Sequence, residues 1–354
     1  MVAVTCKKEY GSPIKTFCIK VSSKKDKAEF FNCNLVRAVL RSDSVRWNDK
    51  RYHNLDYEMK QTFGQKIIKL SLDGGFTCPN RDGLISDKGC IFCSEMGTGE
   101  FAGRRNLSIT EQIAQQKQML STKWPSGKYI AYFQNFTNTY APVEKLQELY
   151  LEALSATDIV GLAVATRPDC LPPKVVDLLG NLAEANYLWV ELGLQTIHKS
   201  SATFIRRGYD LDCFIDAVNR LKEKNIRVVV HLILGLPGES TEDMLETVKF
   251  IGNLGVWGVK LHLLHILRGT DLYEYYRLNP FPLLSREQYI SIVCDALELL
   301  PPSVVVHRVT GDGAKYLLEA PKWSLDKLRV LSGIDKELAT RDSYQGRCLE
   351  IPLK

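Results

Sequence analysis

From about Lys66 the chain alternates between two hydrophobic patterns. Short, almost wholly apolar runs fall at Ile67–Leu72, Tyr129–Phe133, Gly161–Ala165, Leu188–Leu192, Ile226–Leu234, Val256–Leu264 and Val304–His307. Such runs are expected of parallel strands buried on both faces. Between them, apolar residues recur at helical intervals: Val143, Leu146, Leu149, Tyr150 and Leu154; Val175, Leu178, Leu179 and Leu182; Met244, Val248 and Ile251. Ser108-Ile-Thr-Glu111 and Ser285-Arg-Glu-Gln288 have the spacing of helix capping boxes. Each strand is followed by a helix through at least six units, which implies right-handed crossovers and a parallel sheet. An open or closed barrel and a doubly wound sheet both satisfy that alternation.

Composition narrows the class. Of the 354 residues 45% are hydrophobic and 25% charged, which excludes a disordered chain or a coiled coil and suits a large globular core. No apolar run reaches the ~20 residues of a membrane span. Charge is uneven: residues 1–60 carry 13 Lys/Arg against 7 Asp/Glu, a net +6 within a total of +5, so the rest sums to −1. A basic arm can approach nucleic acid. On charge alone, a solvated and partly disordered extension is the favoured reading.

Lys7, Lys8 and Glu9 interrupt any apolar signal-peptide core, so a cytoplasmic chain with reduced thiols is expected. Three of its ten cysteines cluster in Cys78-Pro-Asn-Arg-Asp-Gly-Leu-Ile-Ser-Asp-Lys-Gly-Cys90-Ile-Phe-Cys93, directly after the first strand. In a barrel that places them at the C-terminal rim, where active sites are built. Chance thiols fit poorly in so polar a loop. Structural zinc needs a fourth ligand, and only one Cys-x-x-Cys is present. An iron–sulfur cluster held by three thiolates leaves one iron open for a ligand, and the set favours that reading.

Cys90-Ile-Phe92-Cys93, with its aromatic before the last cysteine, resembles the radical S-adenosylmethionine (SAM) superfamily. The first gap is eleven residues rather than the usual three, as in the branch holding the elongator catalytic subunit and the YhcC/YtqA proteins. Arg51-Tyr-His-Asn-Leu, Gly97-Thr-Gly-Glu-Phe-Ala-Gly103, Thr137-Asn-Thr-Tyr-Ala141, Thr166-Arg-Pro-Asp169, His307-Arg-Val-Thr-Gly-Asp-Gly313 and Ser343-Tyr-Gln-Gly346 look like the YhcC/YtqA type.

The resemblance implies an α/β fold, a partial (β/α)6 radical SAM barrel over residues 46–300. A basic N-terminal arm (1–45) would precede it, and a C-terminal extension (301–354) would pack on it. Cys78, Cys90 and Cys93 would bind three irons of a 4Fe–4S cluster, with SAM chelating the fourth. An electron from a flavodoxin- or ferredoxin-type donor would cleave SAM to a 5′-deoxyadenosyl radical. Phe92, Gln134, Thr137, Glu191, Gln195 and Arg207 are the implied SAM contacts, with a buried, paired Glu191 as the alternative. Arg207 would fork the SAM carboxylate. His262 and His265 could bind substrate or serve only as core histidines, and no catalytic acid or base is assigned.

The implied substrate is tRNA, at a wobble-uridine side chain. A small metabolite or a protein is the alternative within this class. A zinc-stabilised nucleic-acid-binding protein is the alternative outside it.

Overall fold

The computed structural model describes residues 2–4, 17–19, 46–97, 102–311 and 313–349. The chain divides into two units, Met1–Val45 and Arg46–Lys354. In the first, β1 (Val2–Val4) and β2 (Phe17–Ile19) pair antiparallel; the expectation of a partly disordered arm otherwise lies outside the described residues.

The second unit opens with α1 (Leu55–Phe63), capped by Asn54 and closed by Gly64 at φ 68°. There follow β3 (Ile67–Leu72), α2 (Ile109–Leu120), β4 (Lys128–Phe133), α3 (Val143–Ser155), β5 (Ile159–Thr166), α4 (Pro173–Ala185) and β6 (Tyr187–Gln195). Then come α5 (Lys199–Phe204), α6 (Leu211–Glu223), β7 (Arg227–Leu234), α7 (Thr241–Asn253), β8 (Gly258–Leu263) and β9 (Ile266–Leu267). The last elements are α8 (Asp271–Leu278), α9 (Arg286–Leu299), β10 (Val305–Arg308), β11 (Leu318–Ala320) and α10 (Lys327–Thr340).

Seven strands form one sheet in the order β10-β8-β7-β6-β5-β4-β3, and every pairing is parallel. The architecture is the expected α/β half-barrel, with one addition. The residues expected as an extension supply β10, a strand of the same sheet next to β8. A small antiparallel pair, β9 with β11, has no counterpart in the sequence pattern. Both expected capping boxes are present, and Ser240 with Asp243 makes a third at the start of α7.

The strands are two-faced. Ile68, Leu70 and Leu72 of β3, Leu188, Val190 and Leu192 of β6, and Val259 and Leu261 of β8 belong to the main core. That core also holds residues of the covering helices, such as Leu146, Leu179, Phe214 and Val248. Ile130, Tyr132, Ala163, Ala165, Trp189 and Val229 form a separate cluster on the opposite, concave face. Alternate residues of one strand point to opposite faces. The inward positions of β3, β6, β7 and β8 are therefore Lys69 and Ser71, Glu191, His231, and Lys260 and His262. Apolar faces on the helix side, each large side chain contributing about 1.5–3 kcal/mol on burial, stabilise the sheet. Beyond that small apolar cluster, the concave face carries the polar residues.

At the N-terminal end of the sheet, two of the quoted motifs form a clasp. Gln345 Nε2 donates to the carbonyls of Pro301 at 2.7 Å and Val304 at 2.8 Å. Its Oε1 accepts from His53 N at 2.8 Å, and Val306 N donates to His53 O at 2.7 Å. Ser343-Tyr-Gln-Gly346 and Arg51-Tyr-His-Asn-Leu thus tie the segment before α1 to β10. Among the described residues no helix is long and apolar enough to cross a membrane.

Candidate active site

β3 ends in Asp73-Gly74-Gly75, and the cysteine loop starts there. Asp73 is 4% exposed and accepts from Gly75 N at 2.8 Å, Asn135 Nδ2 at 2.9 Å and Arg105 Nε at 3.3 Å. The root of the loop is thereby fixed to the turn after β4. Phe136 in that turn adopts φ 57°, and its ring lies between the guanidinium groups of Arg81 and Arg105, 5.7 and 5.1 Å from its centre. Thr137 N donates to Thr77 O at 3.2 Å, one residue before Cys78.

Inside the loop, Arg81 Nη2 donates to the carbonyls of Cys93 at 2.9 Å and Ser94 at 2.6 Å. Asn80 Nδ2 donates to Cys90 Sγ at 3.4 Å and to Arg206 O at 2.7 Å. Ile91 N donates to Ile205 O at 3.2 Å. The eleven intervening residues thus become a wrapped loop held from three sides. Arg81 and Asn80 lie within the quoted cysteine stretch, but nothing in their spacing announced these roles.

The three thiols are half-buried and free of disulfides. Cys90 and Cys93 share a hydrogen bond. It brings Cys90 down to about 7, helped against burial by Arg167, Asn80 and Arg81. The same bond, with burial, pushes Cys93 well up. Cys78 lies close enough to Cys93 and Arg167 for its charge to act on both. Among the described residues, no group of His, Cys, Asp or Glu placed to hold a single metal ion includes these thiols; a single tetrahedral zinc with Zn–S of about 2.3 Å would need them about 3.8 Å apart. Among the described residues no fourth His, Cys, Asp or Glu completes such a set. Three thiols beside two arginines and an amide donor fit an anionic, polynuclear guest with one open corner.

The implied SAM contacts are placed as follows. Gln134 Oε1 accepts from Ser71 Oγ at 3.1 Å on the concave face. Thr137 is 1% exposed, and its Oγ1 is buried without a partner, so it is an available acceptor; Asn135 Oδ1 and Asn138 Oδ1 next to it are the same. Gln195 ends β6 at φ 64°, a left-handed conformation costly for a non-glycine residue. Its amide folds over Gly193, where an added Cβ would lie 2.5 Å from Nε2.

Phe92 is half-buried in a satellite cluster with Ile91, Ile205, Leu236 and Leu264. Arg207 is 3% exposed. Its Nε and Nη1 donate to the carbonyls of Tyr209 at 3.0 Å, Leu194 at 3.0 Å and Thr196 at 2.7 Å. These bonds occupy three of its five donors, so only Nη2 remains for a carboxylate. Arg167, in contrast, forks Asp169 at 2.9 and 2.7 Å and donates to Arg207 O at 2.9 Å.

Glu191 is engaged within the barrel. It accepts from Tyr132 Oη at 2.7 Å, Trp189 Nε1 at 2.9 Å, His231 Nε2 at 2.8 Å and Lys260 Nζ. Lys260 keeps the carboxyl well below its usual range despite burial. His231 and Lys260 were not singled out in the sequence. Their signal was a polar residue at an inward position of an otherwise apolar strand.

A parallel half-barrel with three free thiols on the loop after its first strand is the arrangement expected of the radical SAM class. Family profiles described as the radical SAM superfamily and the radical SAM C-terminal domain match residues 78–251 and 256–340. YtqA of Bacillus subtilis is 50% identical over 299 residues, 84% of this chain and 93% of that protein. A tRNA uridine(34) acetyltransferase of Methanocaldococcus jannaschii is 29% identical over 160 residues, 43% of this chain and 28% of that protein. The solved structure of archaeal Methanocaldococcus infernus Elp3, lacking its N-terminus, matches with a TM-score of 0.60 at 20% identity, over 79% of this chain and 64% of that one.

The chain belongs to the radical SAM superfamily, whose enzymes bind a 4Fe–4S cluster and SAM. Within it, the chain falls in the YhcC/YtqA group, related to elongator.

Proposed function

We propose that Cys78, Cys90 and Cys93 hold three irons of the cluster, that SAM binds the fourth, and that the enzyme modifies a wobble-uridine side chain in tRNA. When bound and reduced by a flavodoxin- or ferredoxin-type donor, cluster and SAM together supply a radical able to take hydrogen from an unactivated carbon. The chain's own residues hold the loop (Arg81, Asn80), offer acceptors to the SAM ammonium (Thr137, Gln134) and exclude water with the apolar cluster around Phe92.

The observation that carries the substrate assignment is the similarity to a tRNA uridine(34) acetyltransferase across 160 residues. The net +6 of residues 1–60 supports it, since a polyanion is approached through basic charge. Nucleoside mass spectrometry of bulk tRNA from cells with and without the gene tests it. A change confined to a uridine derivative is expected, and an unchanged profile refutes the tRNA reading in favour of a small-molecule or protein substrate. Cys93→Ala in the reconstituted enzyme is expected to lose iron and 5′-deoxyadenosine production. Full production by that variant refutes the ligand assignment.

A further inference from the structure

Helix α2 and its flanks concentrate positive charge on a barrel that is otherwise acidic. Residues 103–128 carry five Lys/Arg against one Asp/Glu, a net +4, while residues 61–354 as a whole sum to −1. The fold gathers that charge at the two ends of the helix. At its C-terminal end, the Lys66 and Lys123 ammonium groups lie 5.6 and 4.6 Å from the centre of the Trp124 ring. Lys128 joins them, because β3 and β4 pair with Lys128 opposite Ile67. At the N-terminal end stand Arg104, exposed, and Arg105, whose side chain is 50% exposed.

Most of this charge is left without a counter-ion. Lys66 shares the Asp56 carboxylate with Lys60, each at 2.7 Å. Lys123, Lys128 and Arg104 are exposed and pair with no carboxylate among the described residues. The indole face attracts the cations above it weakly at an exposed site and does not neutralise them. Arg105 is the exception, since Asp73 at 3.3 Å offsets it.

The chemistry of the surface suits phosphate rather than lipid. Ile109 and Ile113 of α2 are buried in the main core, and Met119 is its one exposed large apolar side chain. The helix therefore has no apolar face to lay into a bilayer. Gln115 and Gln118 stand instead at half-buried and exposed positions, and such amides donate to phosphate and sugar oxygens. Twelve residues at about 1.5 Å each set the two basic ends about 18 Å apart. That is the rise of about five nucleotides at about 3.4 Å each, and far more than a small anion spans. The upper end also touches the root of the cysteine loop, where Arg105 Nη2 donates to Phe76 O at 2.9 Å.

We propose that α2 and its flanks are the docking surface for the phosphate backbone of the tRNA, with Lys66, Lys123 and Lys128 at one end and Arg104 at the other. The nucleotide to be modified leaves this track at the cysteine rim. Backbone charge positions the RNA here, and base sequence is not read. The identity of the partner rests on the tRNA reading.

The test measures binding of bulk tRNA to the reconstituted full-length enzyme over a series of salt concentrations. In Lys123→Gln/Lys128→Gln, Kd is expected to rise about tenfold or more near 0.1 M salt. The slope of log K against log salt should become shallower by about 1.4–1.8, because each neutralised contact is worth about 0.7–0.9. Adding Arg104→Gln should remove about 0.7–0.9 more. Tm and SAM cleavage without tRNA should stay at wild-type values, since all three side chains are exposed. Lys174→Gln/Lys249→Gln, which removes exposed lysines from α4 and α7, should leave Kd and slope unchanged. Equal losses in both double variants, or wild-type binding by Lys123→Gln/Lys128→Gln, overturn the surface. Binding to phosphatidylserine vesicles with none to tRNA overturns it too, in favour of a membrane. The wobble-uridine reading fails separately. Binding that depends on Lys123 and Lys128, with an unchanged nucleoside profile in cells without the gene, keeps the surface and removes the reaction. A changed profile with binding indifferent to those lysines does the reverse.

Discussion

Replacing Lys260 by Met isolates the energetics of the polar interior. The side chains of Lys260 and Glu191 are 3% and 0% exposed, and removing one member of such a pair costs about 3–5 kcal/mol. Burial pushes Lys260 down to about 7, which weakens the pair relative to one with a permanent cation, so the low end, about 3 kcal/mol, applies. The size of this cost depends on pH through His231. Burial, and then the charge of Lys260, bring that imidazole down to about 4.

A histidine whose folded pKa lies below its unfolded value of about 6.5 leaves the unfolded chain binding more protons in between. Wild-type stability therefore falls as pH drops from about 6.5 to about 4. In Lys260→Met the repulsion is gone and Glu191 remains, so His231 rises and becomes the counter-ion. The variant then escapes part of the wild-type loss. Lysine 260 itself titrates between about 7 and about 10.4, above the window compared.

Urea unfolding of the cluster-free chain, followed by tryptophan fluorescence, should give a cost of about 3 kcal/mol near pH 7 and about 1–2 kcal/mol less near pH 5, with unchanged m. Removing the cluster keeps its loss from being coupled to unfolding. A cost below about 1 kcal/mol at pH 7, or one equal or larger at pH 5, refutes the buried-pair reasoning.

Two further substitutions probe the backbone. Gly161→Ala places a Cβ 2.1 Å from the Tyr187 carbonyl of the neighbouring strand. Backbone cannot yield there as a side chain would, so a loss of about 3 kcal/mol or failure to fold is expected in a denaturant titration. Gln195→Gly relieves a left-handed φ of 64° and should raise stability by up to about 1 kcal/mol. If Gln195 contacts SAM, the same change raises the KM for SAM, whereas equal KM values would assign the strain to the turn alone.

Legibility in the sequence followed the distance over which each signal acts. Strand positions could be read because an apolar run such as Ile226–Leu234 is local, and the cysteine set because its spacing is local. β9 and β11 were not, since two or three residues carry no period. The third capping box was missed because Asp243 stands where Glu or Gln is the usual signal. Arg207 shows the limit of motif transfer. Its position after Arg206 is that of a carboxylate ligand, but the chain turns at Arg206 (φ 55°) and directs most of its donors at the carbonyls of β6 and its exit. The Glu191–Lys260 pair spans 69 residues and forms only because parallel neighbours bring the middles of β6, β7 and β8 into line. No window along the chain contains it.

The split of labour between the two faces of the sheet explains why such an interior is tolerated. Well-packed apolar residues in place of a buried ion pair are often neutral or stabilising by about 1–4 kcal/mol. On stability alone, Leu or Met at 191 and 260 would thus serve as well or better. Stability does not need the concave face, because Leu70, Leu72, Leu162, Leu188, Leu192 and Leu261 are buried to within 0% exposure against the helices. Trp189 and Trp257 seal the bottom, and the cysteine loop is held at the opposite rim through Asp73, Asn80 and Arg81. What remains between them is lined by groups that cost folding energy unless they meet a polar ligand. A barrel shaped only to shield a radical would have no use for unpartnered imidazoles at its floor. Each such ring offers a hydrogen-bond donor or acceptor that folding leaves unmatched, and leaving it so costs about 1–3 kcal/mol.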